Sequence, residues 1–373
     1  MRVAVIHNLP PGGARRRLAG QIPALGGEVF ELCLGTAAPV TSDATVISYA
    51  PHALRVPPAV RPALRYGDLV RLSLAWRRVA RELERLRPDV VFANPCRYSQ
   101  APAALARSPA PSLYFCDEPR RVDYESAARA TLNPATRRLY APLRAAERRL
   151  DRRGVAAASA LVTNSRFTAA AIAEAYGRRA EVVPLGVPER FRPTGNPPGE
   201  HLLSVGALIA GKGHDLVVGA AALARRRRRV IVVTPRPDRA GSAHLEHVAR
   251  EAGVELELRV GIGDDELRTL YSTAFATLYL ARSEPLGLAS LEAQACGCPV
   301  VVADEGGLPE TIVVGRTGLA VRRDAGAAAV ALDELEEPNR RQAISAAAAA
   351  HGAAATWARS GEEISRRLVA LIS

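Results

Sequence analysis

Two glutamates, Glu284 and Glu292, stand eight residues apart around Pro285-Leu286-Gly287 and the opening turns of a helix. Cys296-Gly297-Cys298-Pro299 then hands the chain to a Val-rich run. A carboxylate can accept hydrogen bonds from two neighbouring hydroxyls, and a helix start offers free backbone N–H groups to anionic oxygens. A wall of this kind can hold a polyhydroxylated ligand that carries phosphate. Alone, the segment is equally a strand–turn–helix in which Glu284 offsets the helix dipole. Lys212 is the second candidate. It is the only lysine among fifty basic residues, the other forty-nine being arginine. The arginines point to a coding bias, and against that bias one retained compact point charge suggests a task that a guanidinium cannot perform. Lys212 follows the run 201–206 and Gly211, and a strand, a glycine turn and a lysine opening a helix suit phosphate oxygens. The spacing from Gly206 to Lys212 matches part of a Walker loop, but Gly213 stands where Ser or Thr would bind magnesium, so the loop is not read as one. A capped strand–helix turn explains it equally well.

These residues need a scaffold. The chain of 373 residues has room for two domains of about 150 to 200 residues each. Apolar runs of strand length alternate with helical patterns. The first half predicts strands at 2–7, 28–33, 44–48, 89–93, 112–116, 160–163 and 180–184, with helices after Gly12-Gly13 and at 67–86, 99–107, 136–153 and 166–176. Pro and Gly crowd 184–199, which reads as a linker. The alternation restarts with strands at 201–206, 230–234, 255–260, 275–280 and 299–303, helices from Lys212 and at 241–252 and 264–273, and the helix holding Glu292. The Ala-rich 345–355 and the tail 357–371 read as helices. Such alternation predicts α/β architecture, doubly wound parallel sheets that bind ligands at the carboxyl ends of their strands.

Composition narrows the class. Residues 1–190 hold 29 arginines against 16 acids, whereas 191–373 hold 21 basic and 22 acidic residues. The basic half suits phosphates, acidic acceptors or an anionic lipid surface. Nucleic acid is disfavoured, because aromatics make up 5% and none interleave the arginines. Arg225–Arg229 reads as a solvated helix end, and His244 and His247 as helix-surface residues rather than a metal pair. Five cysteines form no CxxC pair or even framework, which points to reduced thiols and a cytoplasmic location, with peripheral contact at the inner membrane face compatible with the charge. No apolar run approaches the ~20 residues of a membrane span.

Taken together, Gly206, Lys212-Gly213, the Glu284–Glu292 pair, Asp304-Glu305-Gly306-Gly307-Leu308-Pro309-Glu310 and Gly315-Arg-Thr-Gly318 resemble the family-4 retaining glycosyltransferases. Gly12-Gly13, Gln100-Ala-Pro102, Glu118-Pro119 and Thr163-Asn164-Ser165 are similar more loosely. The resemblance implies a GT-B fold, two Rossmann-like domains facing across a cleft. The divisions expected are an acceptor-binding domain 1–184, a linker 185–199, a nucleotide-sugar domain 200–355 and a helix 356–373 packing back on the first domain. It implies that Lys212 binds the donor diphosphate with Gly206, that Glu292 holds the ribose and Glu284 the transferred sugar. Backbone N–H groups at Leu286, Gly287 and Leu288 would touch sugar or phosphate, and Gly12 and Gly13 would let their loop close over the diphosphate. The donor would be a UDP- or GDP-sugar, the acceptor a small molecule or lipid-linked glycan, with no bound metal. Two positions depart from the pattern. Ala207 stands where many relatives have arginine, leaving Arg282 or Arg166 to supply the charge. Asp117 stands where a histidine is usual, so Asp117 or Glu118 becomes the candidate base, with salt bridges to Arg120 or Arg121 as the alternative. His7 is a secondary candidate. The rival readings are a nucleotide-sugar hydrolase or epimerase, and a basic membrane- or nucleic-acid-binding protein without catalysis.

Overall fold

The computed structural model describes residues 1–52, 61–124, 134–197 and 199–373. They form two compact units, Met1–Pro184 with Trp357–Ser373, and Leu185–Thr356.

The first unit is built on seven strands: β1 (Arg2–Asn8), β2 (Glu28–Leu34), β3 (Thr45–Ile47), β4 (Val90–Cys96), β5 (Ser112–Phe115), β6 (Ala160–Thr163) and β7 (Glu181–Val182). Their order is β3-β2-β1-β4-β5-β6-β7, every pair parallel. Val3, Ala4, Val5 and Ile6 are wholly buried, as expected of a strand covered on both faces, and this is why such strands read as continuous apolar runs. The order reverses between β1 and β4, so the two loops leaving these strands diverge and open a crevice. The helix Arg61–Leu86 carries the chain from β3 back to β4 and packs Leu72, Trp76, Val79 and Leu83 into the core with Ala4 and Ile6. The terminal helix Trp357–Ala370 belongs to this unit. It buries Ile364 and Leu368 and lies on the helix Gly13–Gln21, where Gln21 Nε2 donates to Ser360 Oγ at 2.9 Å.

The second unit repeats the plan with β8 (Leu202–Val205), β9 (Val230–Thr234), β10 (Leu256–Val260), β11 (Ala276–Tyr279), β12 (Val300–Ala303) and β13 (Gly318–Val321). Their order is β10-β9-β8-β11-β12-β13, again all parallel. Here the switch lies between β8 and β11.

Several expectations change. Residues 99–107 form only a short 3-10 helix, Ala103–Arg107, because Cys96 and Gln100 exchange backbone hydrogen bonds in a tight turn that uses up the preceding residues. The helix expected over 136–153 is two, Pro134–Leu139 and Ala141–Ala157, since Pro142 has no N–H to continue the first. The helix expected from Lys212 starts at His214. Residues 185–197 and 199 pack as part of the second unit, with Phe191 buried and Arg268 Nε donating to Arg192 O at 2.8 Å; Pro198 of the expected linker lies outside the described residues. The run Arg225–Arg229 follows the helix His214–Leu223 rather than ending it, and Arg228 is not solvated. Its guanidinium stacks 3.5 Å from the Phe275 ring and pairs with Glu200 at 3.1 Å and with Glu336. His244 and His247 are exposed on their helix, and all five cysteines are buried and free.

Candidate functional site

In the second unit the loops leaving β8 and β11 meet at the switch point. The β8 loop runs through Gly206 to a 3-10 turn, Ala210–Lys212, and Gly213 then turns left-handed (φ 73°) to start the helix His214–Leu223. A side chain at 213 would bring its Cβ within 2.2 Å of Leu280 O, so only glycine lets the two loops approach. Arg282 N donates to Gly211 O at 2.7 Å and fixes the contact. His214 anchors the loop from below. Its Nε2 bonds Ala207 O at 3.2 Å, which makes Nδ1 the acceptor for Ser204 Oγ at 2.9 Å. Burial pushes this imidazole down to about 4, so it stays neutral around pH 7.

Lys212 and Glu284 come together here. Lys212 Nζ lies 2.7 Å from Glu284 Oε2 and 3.3 Å from the Tyr279 hydroxyl, which donates to Glu284 Oε1 at 2.9 Å. The three close a triangle. Tyr279 ends β11 and is 5% exposed; burial, and after it the Glu284 charge, holds its phenol well above the usual range, so it remains a donor. Gly287 (φ 112°) opens the helix Leu288–Ala295, which has no side-chain cap and no acid in its first turn, and a Cβ there would strike Leu308 and Tyr279. The helix start near Glu284 is thus an uncapped N-terminus of the kind that binds anions. Leu286 and Gly287 are buried and Leu288 is half-buried. Glu292 sits further along the helix, 2% exposed, and accepts from the Tyr271 hydroxyl at 3.3 Å.

In the first unit Gly12 and Gly13 follow β1, with Gly12 before an uncapped helix Gly13–Gln21. That helix carries Arg17, buried and stacked 3.6 Å from the Phe115 ring. Arg17 grips Asp117 through both oxygens, Nε–Oδ1 and Nη2–Oδ2 each 2.9 Å, and donates from Nη1 to Asn94 and Gln21, also at 2.9 Å. The Asp117 reading is corrected accordingly. Its partner is Arg17, not Arg120 or Arg121, and a carboxylate clamped by a guanidinium at both oxygens is poorly placed to take a proton. Arg120 pairs instead with Glu147 at 2.7 Å. Glu118 is half-buried, and its carbonyl accepts from Gln100 Nε2 at 2.6 Å. His7 is buried with both ring nitrogens engaged, Nε2 with Glu31 Oε1 at 2.8 Å and Nδ1 with Leu9 N at 3.2 Å, so it faces no ligand. His7, Glu31 and Cys33 bring metal-type ligand atoms within 4.8 Å of one another. Glu31, however, spends both oxygens on Val40 N (2.8 Å), Thr41 N (2.6 Å) and His7, and these bonds draw it down to about 2 against the opposing effect of burial. Glu31, steadied by His7, holds the backbone at 40–41.

The sequence drew attention to Lys212, Glu284 and Glu292 and passed over Tyr279, His214 and Arg17. Tyr279 reads as one more apolar strand residue, and no feature singles out Arg17 among forty-nine arginines.

Two parallel units with reversed strand order, the second bearing a lysine and a glutamate at its switch point, define the GT-B class of two-domain α/β proteins. Residues 15–191 match the family model Glycosyltransferase Family 4, and residues 188–351 match Glycosyl transferases group 1. The chain belongs to the family-4 glycosyltransferases. The D-inositol 3-phosphate glycosyltransferase of Acidothermus cellulolyticus is 35% identical over 229 residues, covering 54% of this chain and 51% of that protein. The chain thus spans about half the length of the curated relatives it matches. Among solved structures, sucrose-phosphate synthase from Thermosynechococcus elongatus superposes with a TM-score of 0.77 at 19% identity, covering 99% of both chains. Anabaena Alr3699/HepE in complex with UDP gives 0.74 at 16% identity over the full length of both.

Proposed function

We propose that this chain transfers a sugar from a nucleotide-diphosphate donor to an acceptor hydroxyl, with retained configuration and without a bound metal. The observation that carries the reading is the Lys212–Glu284 contact of 2.7 Å beside an uncapped helix start. Lys212 takes the diphosphate and neutralises its charge as it departs, aided by the helix N-terminus, and this supply of positive charge is the reason for proposing a metal-independent reaction. Binding requires Lys212 to exchange its carboxylate partner for phosphate, which frees Glu284 to accept from hydroxyls of the transferred sugar. Glu284 assists by position and charge on a same-face, oxocarbenium-like path. Glu292 accepts from the ribose hydroxyls, and the N–H groups of residues 286–288 meet sugar or phosphate oxygens. UDP is the favoured nucleotide, supported by the UDP and UDP-glucose complexes of HepE, with GDP the alternative. On the acceptor side the basic first unit fits an anionic small molecule or a lipid-linked glycan, and the names of the relatives suggest a phosphorylated polyol. Glu118 replaces Asp117 as the acceptor-side carboxylate.

Calorimetric titration with UDP- and GDP-sugars tests the site. Loss of a hydrogen bond to a charged group costs about 1.5–3 kcal/mol, so Lys212→Ala and Glu292→Ala should each weaken donor binding tenfold or more. Unchanged affinity in both variants would sink the assignment. The clamped Asp117 and the absent arginine at Ala207 favour a second reading, a nucleotide-sugar hydrolase or epimerase. Free sugar released without acceptor dependence, or an altered donor sugar, would establish it over transfer.

A further inference from the structure

The helix Arg61–Leu86 is apolar on two opposite sides. One side packs Leu72, Trp76, Val79 and Leu83 into the core, each at most 1% exposed. On the other, Tyr66, Val70 and Leu74 are 38%, 61% and 47% exposed. At the helical repeat these three fall within an arc of about 80°, roughly opposite the core side. Arg77 and Arg81 continue the same arc over the next turns, with Arg78 beside them, all exposed and without an ion pair among the described residues. The helix packs against Ala141–Ala157 in the layer that right-handed crossovers place on this face of the sheet. Arg148, Arg149 and Arg153 are exposed on that second helix and likewise lack an ion pair among the described residues.

Isolated exposed apolar residues are ordinary, but three in one stripe that runs into a row of unpaired arginines are not. Water suits the arginines and not the stripe. A lipid headgroup region suits both, since apolar groups enter the acyl boundary while guanidinium groups meet phosphates. We propose that this helix layer of the first unit docks peripherally on an anionic membrane surface, with Tyr66, Val70 and Leu74 among the headgroups and the arginines on lipid phosphates. Charge complementarity selects this occupant, because residues 1–190 carry all of the chain's positive excess. A single-stranded nucleic acid would want several stacking aromatics, and the stripe offers Tyr66 alone. No helix among the described residues is long and apolar enough to cross a membrane, so the contact proposed is with the surface.

Co-sedimentation of the full chain with vesicles tests this without reference to sugar transfer, so it can fail or succeed independently of the proposed reaction. The chain should pellet with vesicles of phosphatidylcholine mixed with phosphatidylglycerol at low ionic strength, remain in solution with phosphatidylcholine alone, and be released by salt. Val70→Ser/Leu74→Ser and Arg77→Ala/Arg81→Ala should each lower partitioning about tenfold, with unchanged thermal melting as the check on folding. All four positions are exposed, so folding should survive. Failure to pellet with anionic vesicles, or variants that partition like the parent, would overturn the proposal. So would binding to soluble polyglutamate that needs the arginines but not Val70 and Leu74, which would assign the surface to an acidic macromolecule.

Discussion

At the scale of single residues, the proposed donor site turns on how Lys212, Glu284 and Tyr279 share one hydrogen-bonded corner. The ammonium and the carboxylate are each about one-fifth exposed or less, so their attraction is only partly screened, and the buried phenol bridges them. Tyr279 is therefore a positioning residue. It orients Glu284 by donating and Lys212 by accepting, where the donor is proposed to bind. Tyr279→Phe removes both bonds and keeps the ring. Donor affinity should drop about tenfold, with a larger loss in kcat than in KM, because charge placement matters most as the leaving group departs. Steady-state kinetics on donor concentration checks this, and a variant with parental constants would reduce the tyrosine to packing. Arg17 does for the first unit what Tyr279 does for the second, tying half-buried Asp117 to buried Asn94 and Gln21.

At the scale of elements, two buried titratable groups pull stability in opposite directions. Burial lowers His214 from 6.5 to about 4, so on acidification the unfolded chain takes up that proton first, and stability falls as pH drops from about 6.5 towards 4. Burial raises Asp151 from 3.8 to about 6, even though it accepts from Tyr176 and Ala101 N, so the folded chain takes up that proton first and stability rises over nearly the same interval. Each contributes about 3 kcal/mol at most, and the two largely offset each other. Relative to the parent, His214→Gln should gain stability between pH 7 and 4.5, and Asp151→Asn should lose it. Urea denaturation at both pH values measures this; parallel curves for all three chains would refute it. Element-level legibility followed the local physics. Strands buried on both faces are visible as apolar runs, and the helix Arg166–Tyr176 lies where its pattern places it, its start capped by Ser165. The start of the helix at His214 was not legible, because it depends on Gly213 turning against Leu280 O from a different loop.

At the scale of the whole molecule, the chain leaves the first unit at Pro184 and returns to it at Trp357. The returning helix completes the first unit's core through Ile364 and Leu368 and fixes the glycine-loop helix through Ser360 and Gln21. Ile364→Ala and Leu368→Ala each open a cavity costing about 2–5 kcal/mol. Hydrogen exchange should show faster opening across Met1–Pro184 with little change in Leu185–Thr356; equal loss in both units would contradict that division. The terminal helix was readable from its amphipathic pattern, and its return was expected only through the family resemblance. What the amino-acid sequence determined by itself is the material encoded locally: two rounds of strand–helix alternation, and the lysine and glutamates of the proposed donor site, which lie on helices or in the turns that precede them. What the tertiary structure decided is every pairing set by strand order. Lys212 meets Glu284 across 72 positions and Arg17 meets Asp117 across 100. Such contacts form because a sheet that reverses its order brings distant strand ends side by side, and no periodicity along the chain records which of forty-nine arginines will be buried there.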